Sequence, residues 1–347
     1  MFDPNAAALP SSGIFGLDDT PENARVVLIP VPWDATTSYR PGTANGPAAI
    51  LEASRQVDLF DIETGKPYEL GIAMLEESAE IREWNRTARV DAEKIIEAAG
   101  RTDGDSQLEA ALARVNAVSE KVNAIVHETA KKWLDRGKVV GLVGGDHSTP
   151  FGAIQAYAEK FPGLGILHVD AHADLRRAYE GFEWSHASIM ENVSRKIPGV
   201  KKIVAVGIRD FCEEENDRML ESDGRISTHF DVTLARARRN GTLDELFSGI
   251  ARELPENVYV SFDIDGLDPT LCPNTGTPVP GGLSFHEASA LVGAIVEAKK
   301  KIVGFDVNEV APNSENENDE WDANVGARIL YKLIGWSLAS FDVTDRR

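Results

Sequence analysis

Six short apolar runs recur along the chain, separated by stretches whose apolar residues return every three or four positions. The runs are ARVVLIPVP (24–32), GKVVGLVGG (137–145), GLGILHVD (163–170), KKIVAVGI (201–208), ENVYVSFDID (256–265) and KKIVGFDVNEV (300–310). They are rich in Val and Ile and apolar at nearly every position. That pattern predicts strands covered on both faces, because a strand with one wet face would alternate. Between them, 120–137 places apolar residues at 122, 125, 126, 130 and 133–134 before Gly137, the spacing of a helix with a glycine stop. The segment 284–300 opens with Ser284 and Glu287 at capping-box spacing. Alternating strands and helices predict βαβ units, a mostly parallel sheet and a three-layer α/β/α architecture. No shift in composition marks a second domain, so residues 1–347 are expected to form one, with an N-terminal extension at 1–20. The polar stretch 75–112 reads as a helical insertion around a surface loop at RTDGDS, used in assembly.

Composition narrows the partners. A formal charge of −20 argues against nucleic acid or an anionic membrane surface and suits small cations, although acidic surfaces also simply keep proteins soluble. Cys212 and Cys272 cannot build a disulfide framework, and the start MFDPNAAALPSSGIFG has neither a basic beginning nor an apolar run. No stretch approaches the roughly 20 apolar residues needed to span a bilayer. A soluble, cytoplasmic protein is expected.

The strand ends carry the chemistry. Ligands of open parallel sheets bind beyond the carboxyl ends of the strands. There the chain places GGDHS (144–148), DAHAD (170–174), DIDGLDP (263–269) and NEVAP (308–312). In DAHAD, Asp170, His172 and Asp174 stand at i, i+2 and i+4, which puts all three on one side if the chain stays extended. Charged groups ending an apolar strand are costly unless something compensates them, and a bound cation does so. His147, Asp170, His172, Asp174, Asp263 and Asp265 make two imidazoles and four carboxylates without thiolate, a donor set for Mn²⁺, Fe²⁺, Ni²⁺ or Zn²⁺. Six side chains exceed what one open catalytic ion takes. They suit two ions sharing carboxylates, about 3.5–4 Å apart, with a water between them. A lone DxD or GGDHS is as well explained by a turn or a cap; all of them together, each after a strand, are not.

GGDHS, DAHAD, SFDIDGLDP with TGTPVPGG (275–282), and DVNEVAP resemble the signature blocks of the ureohydrolase family, which includes arginases and agmatinases. PGTANGPAAI (41–50) is similar to that family's N-terminal block. The resemblance runs from about residue 25 to the C-terminus and implies an arginase-like fold with an eight-stranded sheet. It further implies that His147, Asp170, Asp174 and Asp263 bind one divalent ion (Mn²⁺ or Ni²⁺). His172, Asp170, Asp263 and Asp265 would bind the other, so that Asp170 and Asp263 bridge. His186 in EWSHAS matches the family's active-site histidine, a proton shuttle if its pKa lies near 7, and Asp174 is a second proton relay. Glu309 matches the acid that holds the substrate guanidinium. The implied reaction is attack of a metal-activated bridging water on a guanidinium carbon, giving urea or an analogue and an amine or ammonia. His168 is read as packing or support, and CPNTGTPVPGG (272–282) as pocket wall.

The substrate is less legible. The loop LRRAYEGFEWSH (175–186) carries no group resembling the arginase grip on an α-carboxylate, which disfavours arginine. EWNRTARVDA (83–92) and DEWDANVGARILYKL (319–333) resemble the branch containing guanidine hydrolases and the active subunit of metformin hydrolase. Trp184, beside His186, is expected to shorten the pocket and stack on a planar cation. A small guanidine or biguanide is therefore the expected substrate. Agmatine, or a related guanidino acid, is the alternative. The resemblance also implies a homohexamer, or a heterohexamer with a sister subunit. A non-catalytic partner subunit would have lost ligands, and none is lost; deacetylase-type chemistry is disfavoured by the NEVAP and DIDGLDP blocks.

Overall fold

The computed structural model describes residues 3–345. Its centre is one eight-stranded sheet whose strands all pair in parallel. The strands are β1 Val26–Val31, β2 Ile72–Met74, β3 Val139–Gly144, β4 Leu164–Val169, β5 Val200–Ile208, β6 Ile226–Phe230, β7 Asn257–Asp263 and β8 Lys301–Asn308. They run in the order β2-β1-β3-β8-β7-β4-β5-β6. The six apolar runs are β1, β3, β4, β5, β7 and β8. The two strands absent from the sequence reading are the edges, β2 with three residues and β6 with only Ile226 fully buried. Continuous apolar runs mark strands covered on both faces, and an edge strand need not be one.

Alternation along each strand builds the three layers. Val26, Leu28, Val139, Val143, Leu167 and Val169 face one core; Val27, Ile29, Val140, Leu142, Leu164 and Ile166 face the other. Ten helices cover the sheet among the described residues. In chain order the first five are α1 Gly46–Ser54, α2 Ala79–Glu97, α3 Ser106–Asp135, α4 Phe151–Lys160 and α5 Ile189–Lys196. The others are α6 Glu213–Glu221, α7 Asp231–Asn240, α8 Leu243–Glu253, α9 Phe285–Glu297 and α10 Trp321–Asp345. Ser284 caps α9 with both bonds of the capping box, as its sequence predicts. The predicted 120–137 helix is the second half of α3, one 30-residue helix started by Asp105, which accepts from the Gln107 and Leu108 amides. The loop at RTDGDS is therefore the turn between α2 and α3.

The register sets up the site. Val31 pairs with Gly144, Val143 with Val307, Asp263 with Asn308 and Val169 with Phe262. The carboxyl ends of β3, β8, β7 and β4, four neighbours in the sheet, are thus level. The residues that follow them open onto one spot. No helix among the described residues is long and apolar enough to cross a membrane.

Candidate metal centre and active-site cleft

Each loop brings one part of a buried cluster. After β3, Gly145 packs so closely that a Cβ there would lie 2.1 Å from the Trp33 carbonyl oxygen, which only glycine permits. This turn delivers His147, whose Nδ1 lies 2.9 Å from Asp170 Oδ2, 3.4 Å from Asp174 Oδ2 and 3.2 Å from Asp263 Oδ2. Its other nitrogen is 2.9 Å from Ser261 Oγ, and Ser261 donates to Asp306 Oδ1 at 3.1 Å. Asp306 also accepts from the Phe262 amide and from Asn308, which in turn accepts from Thr149. A chain of buried side chains thus fixes the ring of His147, the kind of outer support that metal-binding histidines use.

After β4 the chain does not stay extended. The strand ends at Val169, and Asp174 sits at φ +55, in the left-handed region. The expectation that Asp170, His172 and Asp174 share one side of an extended segment is corrected accordingly. Asp174 reaches the cluster by a turn, whose cost of about 1–3 kcal/mol is held by the rest of the fold. The Met190 and Glu191 amides opening α5 both donate to the Asp174 carbonyl at 3.1 Å. His172 goes to a second corner of the cluster, with Nδ1 3.0 Å from Asp265 Oδ2 and 3.5 Å from Asp170 Oδ1. Asp265 also accepts from the Ala171 amide, and Asp263 from the Asp265 amide. All six predicted ligand residues therefore meet. His168, expected as packing or support, lies beside them, with Nε2 2.8 Å from Asp170 Oδ2. The signal was present, since His168 stands two residues before Asp170 on the same strand face.

Glu309, after β8, is the second non-glycine residue of the site with positive φ, at +63. Its amide donates to the Gly145 carbonyl, its carbonyl accepts from Thr275 Oγ1, and its Oε1 accepts from the His147 amide at 3.0 Å. Its Oε2 lies beside Gly276, where a Cβ would stand 3.7 Å from it, an ordinary contact distance. The TGTPVPGG segment walls the site as expected.

Electrostatics say what the cluster lacks. Burial, and then the charge of Asp170, push Asp174 up to about 8. Burial and the neighbouring carboxylates Asp265 and Asp170 raise Asp263 well above the usual range, as burial and the charges of Asp263 and Asp146 do for Glu309. Against burial, the bonded carboxylates hold His147 and His172 well above the ordinary imidazole value. The imidazoles pair only part of a carboxylate excess, in a largely buried cluster whose His172 corner meets the cleft. Four aspartates and two or three imidazoles, buried and oxygen-rich, fit divalent cations, which supply the missing positive charge.

A cleft of about 170 Å³ adjoins the cluster, lined by Ser38, His172, Asp174, Arg176, Tyr179, His186, Asp210, Phe211 and Thr277 among others. His186 stands in it, edge-on to the Tyr179 ring at 6.3 Å between centroids. Burial and then the charge of His172 push it down to about 4, rather than near 7, so its imidazole is neutral at physiological pH. Asp210 lies at the rim, exposed, its amide bonded to the Ala171 carbonyl and its carboxylate unpaired among the described residues. Sequence reasoning missed the rim residues because they come from loops without a motif.

Trp184 does not line this cleft. Its ring is buried against Phe151 at 4.8 Å between centroids, with Lys196 Nζ 3.7 Å from its centre, on the side where α3 and α4 pack. Residues 184 and 186 are neighbours in sequence but face different ways. The expectation of a pocket shortened by Trp184 is therefore corrected.

The profile of the arginase family matches residues 24–335. An N(1)-aminopropylagmatine ureohydrolase of Thermus thermophilus is 35% identical, covering 93% of this chain and 94% of that protein. An agmatinase of Bacillus anthracis is 32% identical over 91% of this chain and 93% of its own length. Among solved structures, the proclavaminate amidino hydrolase from Streptomyces clavuligerus superposes with a TM-score of 0.72 at 24% identity, covering 97% of this chain and all of that one (100%). These matches name no guanidine or metformin hydrolase, so the closeness to that branch expected from 83–92 and 319–333 gains no support.

Proposed function

This chain belongs to the arginase family, a hydrolase of C–N bonds in amidines, and on that premise we propose that it cleaves a guanidino-alkylamine of the agmatine type. The reading rests on the convergence of His147, Asp170, His172, Asp174, Asp263 and Asp265 beside a buried Glu309 whose Oε2 lies next to Gly276. In this reading His147, Asp170, Asp174 and Asp263 hold one divalent ion. His172, Asp170, Asp263 and Asp265 hold the other, with manganese or nickel as the metal. When bound, the pair supplies a water of lowered pKa and positive charge for the developing tetrahedral carbon.

The chain's own residues do the rest. Glu309 pairs with two nitrogens of the planar guanidinium and fixes its carbon over the metal centre. One C–N bond breaks, and the departing nitrogen must gain a proton to leave as an amine. His186, neutral and at the cleft wall, is placed to relay to it the proton that the attacking water gives up, with Asp174 as the second proton-handling group. The products are urea and a diamine.

Asp210 favours an amine-bearing substrate. An unpaired carboxylate at the rim suits a distal ammonium, and bare guanidine has none. The reading of a small guanidine or biguanide substrate leaned on Trp184, which is turned away. A urea-release assay on metal-loaded protein with agmatine, N(1)-aminopropylagmatine, arginine, guanidine and dimethylbiguanide decides among them. Agmatine-type compounds are expected to give the highest kcat/KM and arginine the lowest. A tenfold preference for guanidine or the biguanide would overturn the assignment. Asp210→Asn is expected to raise KM for agmatine by roughly twofold to fivefold, the scale of up to about 1 kcal/mol for an exposed ion pair, and to leave guanidine hydrolysis unchanged. Equal effects on both compounds would remove Asp210 from substrate recognition. For assembly, we expect a hexamer; light scattering returning a 37.7 kDa monomer would contradict it.

A further inference from the structure

The polar stretch 75–112, which forms α2 and the start of α3, makes specific contacts inside the chain. Residues 33–42, between β1 and α1, have no regular structure and yet border the site at several points. The Trp33 carbonyl accepts from the Asp146 amide at 2.8 Å, Thr37 Oγ1 lies 3.4 Å from Asp146 Oδ2, and Ser38 lines the cleft. The carbonyls of Tyr39 and Arg40 are, with Glu309 Oε2, the atoms nearest a Cβ built on Gly276. A loop this close to the guanidinium slot must be held, and α2 holds it. Arg89 donates to the Thr37 carbonyl at 2.5 Å and the Ala35 carbonyl at 3.4 Å. Asn85 and Asp34 exchange two bonds, at 2.8 and 2.9 Å, while Asp34 also accepts from the Gly42 and Ala44 amides.

α2 and α3 together hold a second loop that lines the cleft, 175–186. Phe182, fully buried, packs with Ala92 and Ile95 of α2 and Ala111 and Val115 of α3. Asn116 donates to the Gly181 carbonyl and accepts from the Glu183 amide. Glu180, at φ +51, has a buried Oε2 without a hydrogen-bond partner, and the charge of Arg89 acts on its carboxyl.

We propose that α2 and α3 form a brace that sets the two substrate loops, 33–42 and 175–186, against each other, with Arg89 as its principal positioning residue. Arg89 touches neither metal ligand nor cleft. It acts through the carbonyls of Ala35 and Thr37 on the side of the pocket where Ser38 stands. The catalytic part of this inference rests on the proposed function; the mechanical part does not.

Arg89→Ala and Arg89→Lys in the full-length, metal-loaded protein test it, with Arg86→Ala as control, since among the described residues Arg86 pairs only with Glu83, on an exposed face of α2. Three quantities are read: amide hydrogen exchange over 33–42, metal per chain, and kcat and KM for agmatine. In Arg89→Ala, exchange over 35–42 is expected to rise about tenfold, as for a segment whose local opening has become easier, with metal content unchanged. KM is expected to rise about tenfold with kcat falling less than threefold, because a misplaced loop weakens positioning while the carboxylate cluster keeps its place. Arg89→Lys restores part of KM, and Arg86→Ala matches the parent. Unchanged exchange and unchanged KM would overturn the brace, and so would loss of metal together with general unfolding at partial substitution by Lys. If Arg89→Ala does not fold, Asn85→Ala carries the same readouts. Should the parent release no urea from any guanidino compound, the functional reading fails, while the exchange result still decides the brace.

Discussion

Asp263→Ala is expected to lose at least one divalent ion per chain and essentially all urea release. Asp263 ends β7 opposite Asn308, its Oδ2 3.2 Å from His147 Nδ1 and its Oδ1 accepting from the Asp265 amide. In the proposed centre it is shared by both ions, so its removal unseats the pair and frees the turn that carries Asp265. Metal ions contribute several kcal/mol of charge stabilisation to such reactions, so a fall on the order of a thousandfold or more in kcat is expected. Elemental analysis beside a urea assay checks both halves. Two ions per chain in the variant, or parent activity that survives a chelator, would end the dinuclear reading.

Glu309→Gln separates substrate binding from metal binding. The Glu309 carboxylate is buried and its Oε1 accepts from the His147 amide. A glutamine keeps a carbonyl oxygen for that bond, so the β8 turn and the metal content should survive. What it loses is the negative charge beside Gly276. A hydrogen bond to a charged group is worth about 1.5–3 kcal/mol, which sets a loss of roughly ten- to hundredfold in kcat/KM as the least expected. An unchanged kcat/KM would mean that the guanidinium is held elsewhere.

Much of the site was legible because its residues are short-range motifs at strand ends. The parallel sheet makes strand ends converge whatever the loops do. Glu309 and the DAHAD and DID blocks could be assigned to one edge from the apolar runs before them. For His168 the sequence leaves packing and support both open, and the fold decides for support, with its Nε2 2.8 Å from Asp170 Oδ2. Trp184 was misplaced. Adjacency in sequence was taken as adjacency in space, yet the loop turns between Trp184 and His186, sending one ring to Phe151 and leaving the other in the cleft.

The sequence by itself determined the layers, the six covered strands and the donor set, because burial on both faces and ligand chemistry leave marks at fixed, local spacing. Tertiary structure alone decided the two edge strands and the left-handed turns at Asp174 and Glu309. It alone decided which rim residues face the substrate and that α2 grips 33–42. Those outcomes depend on contacts between separate segments, such as Arg89 with Thr37, Asp174 with Met190 and Glu309 with His147. No local period records such contacts, since backbone carbonyls and amides are common to every residue and only the fold selects which of them meet.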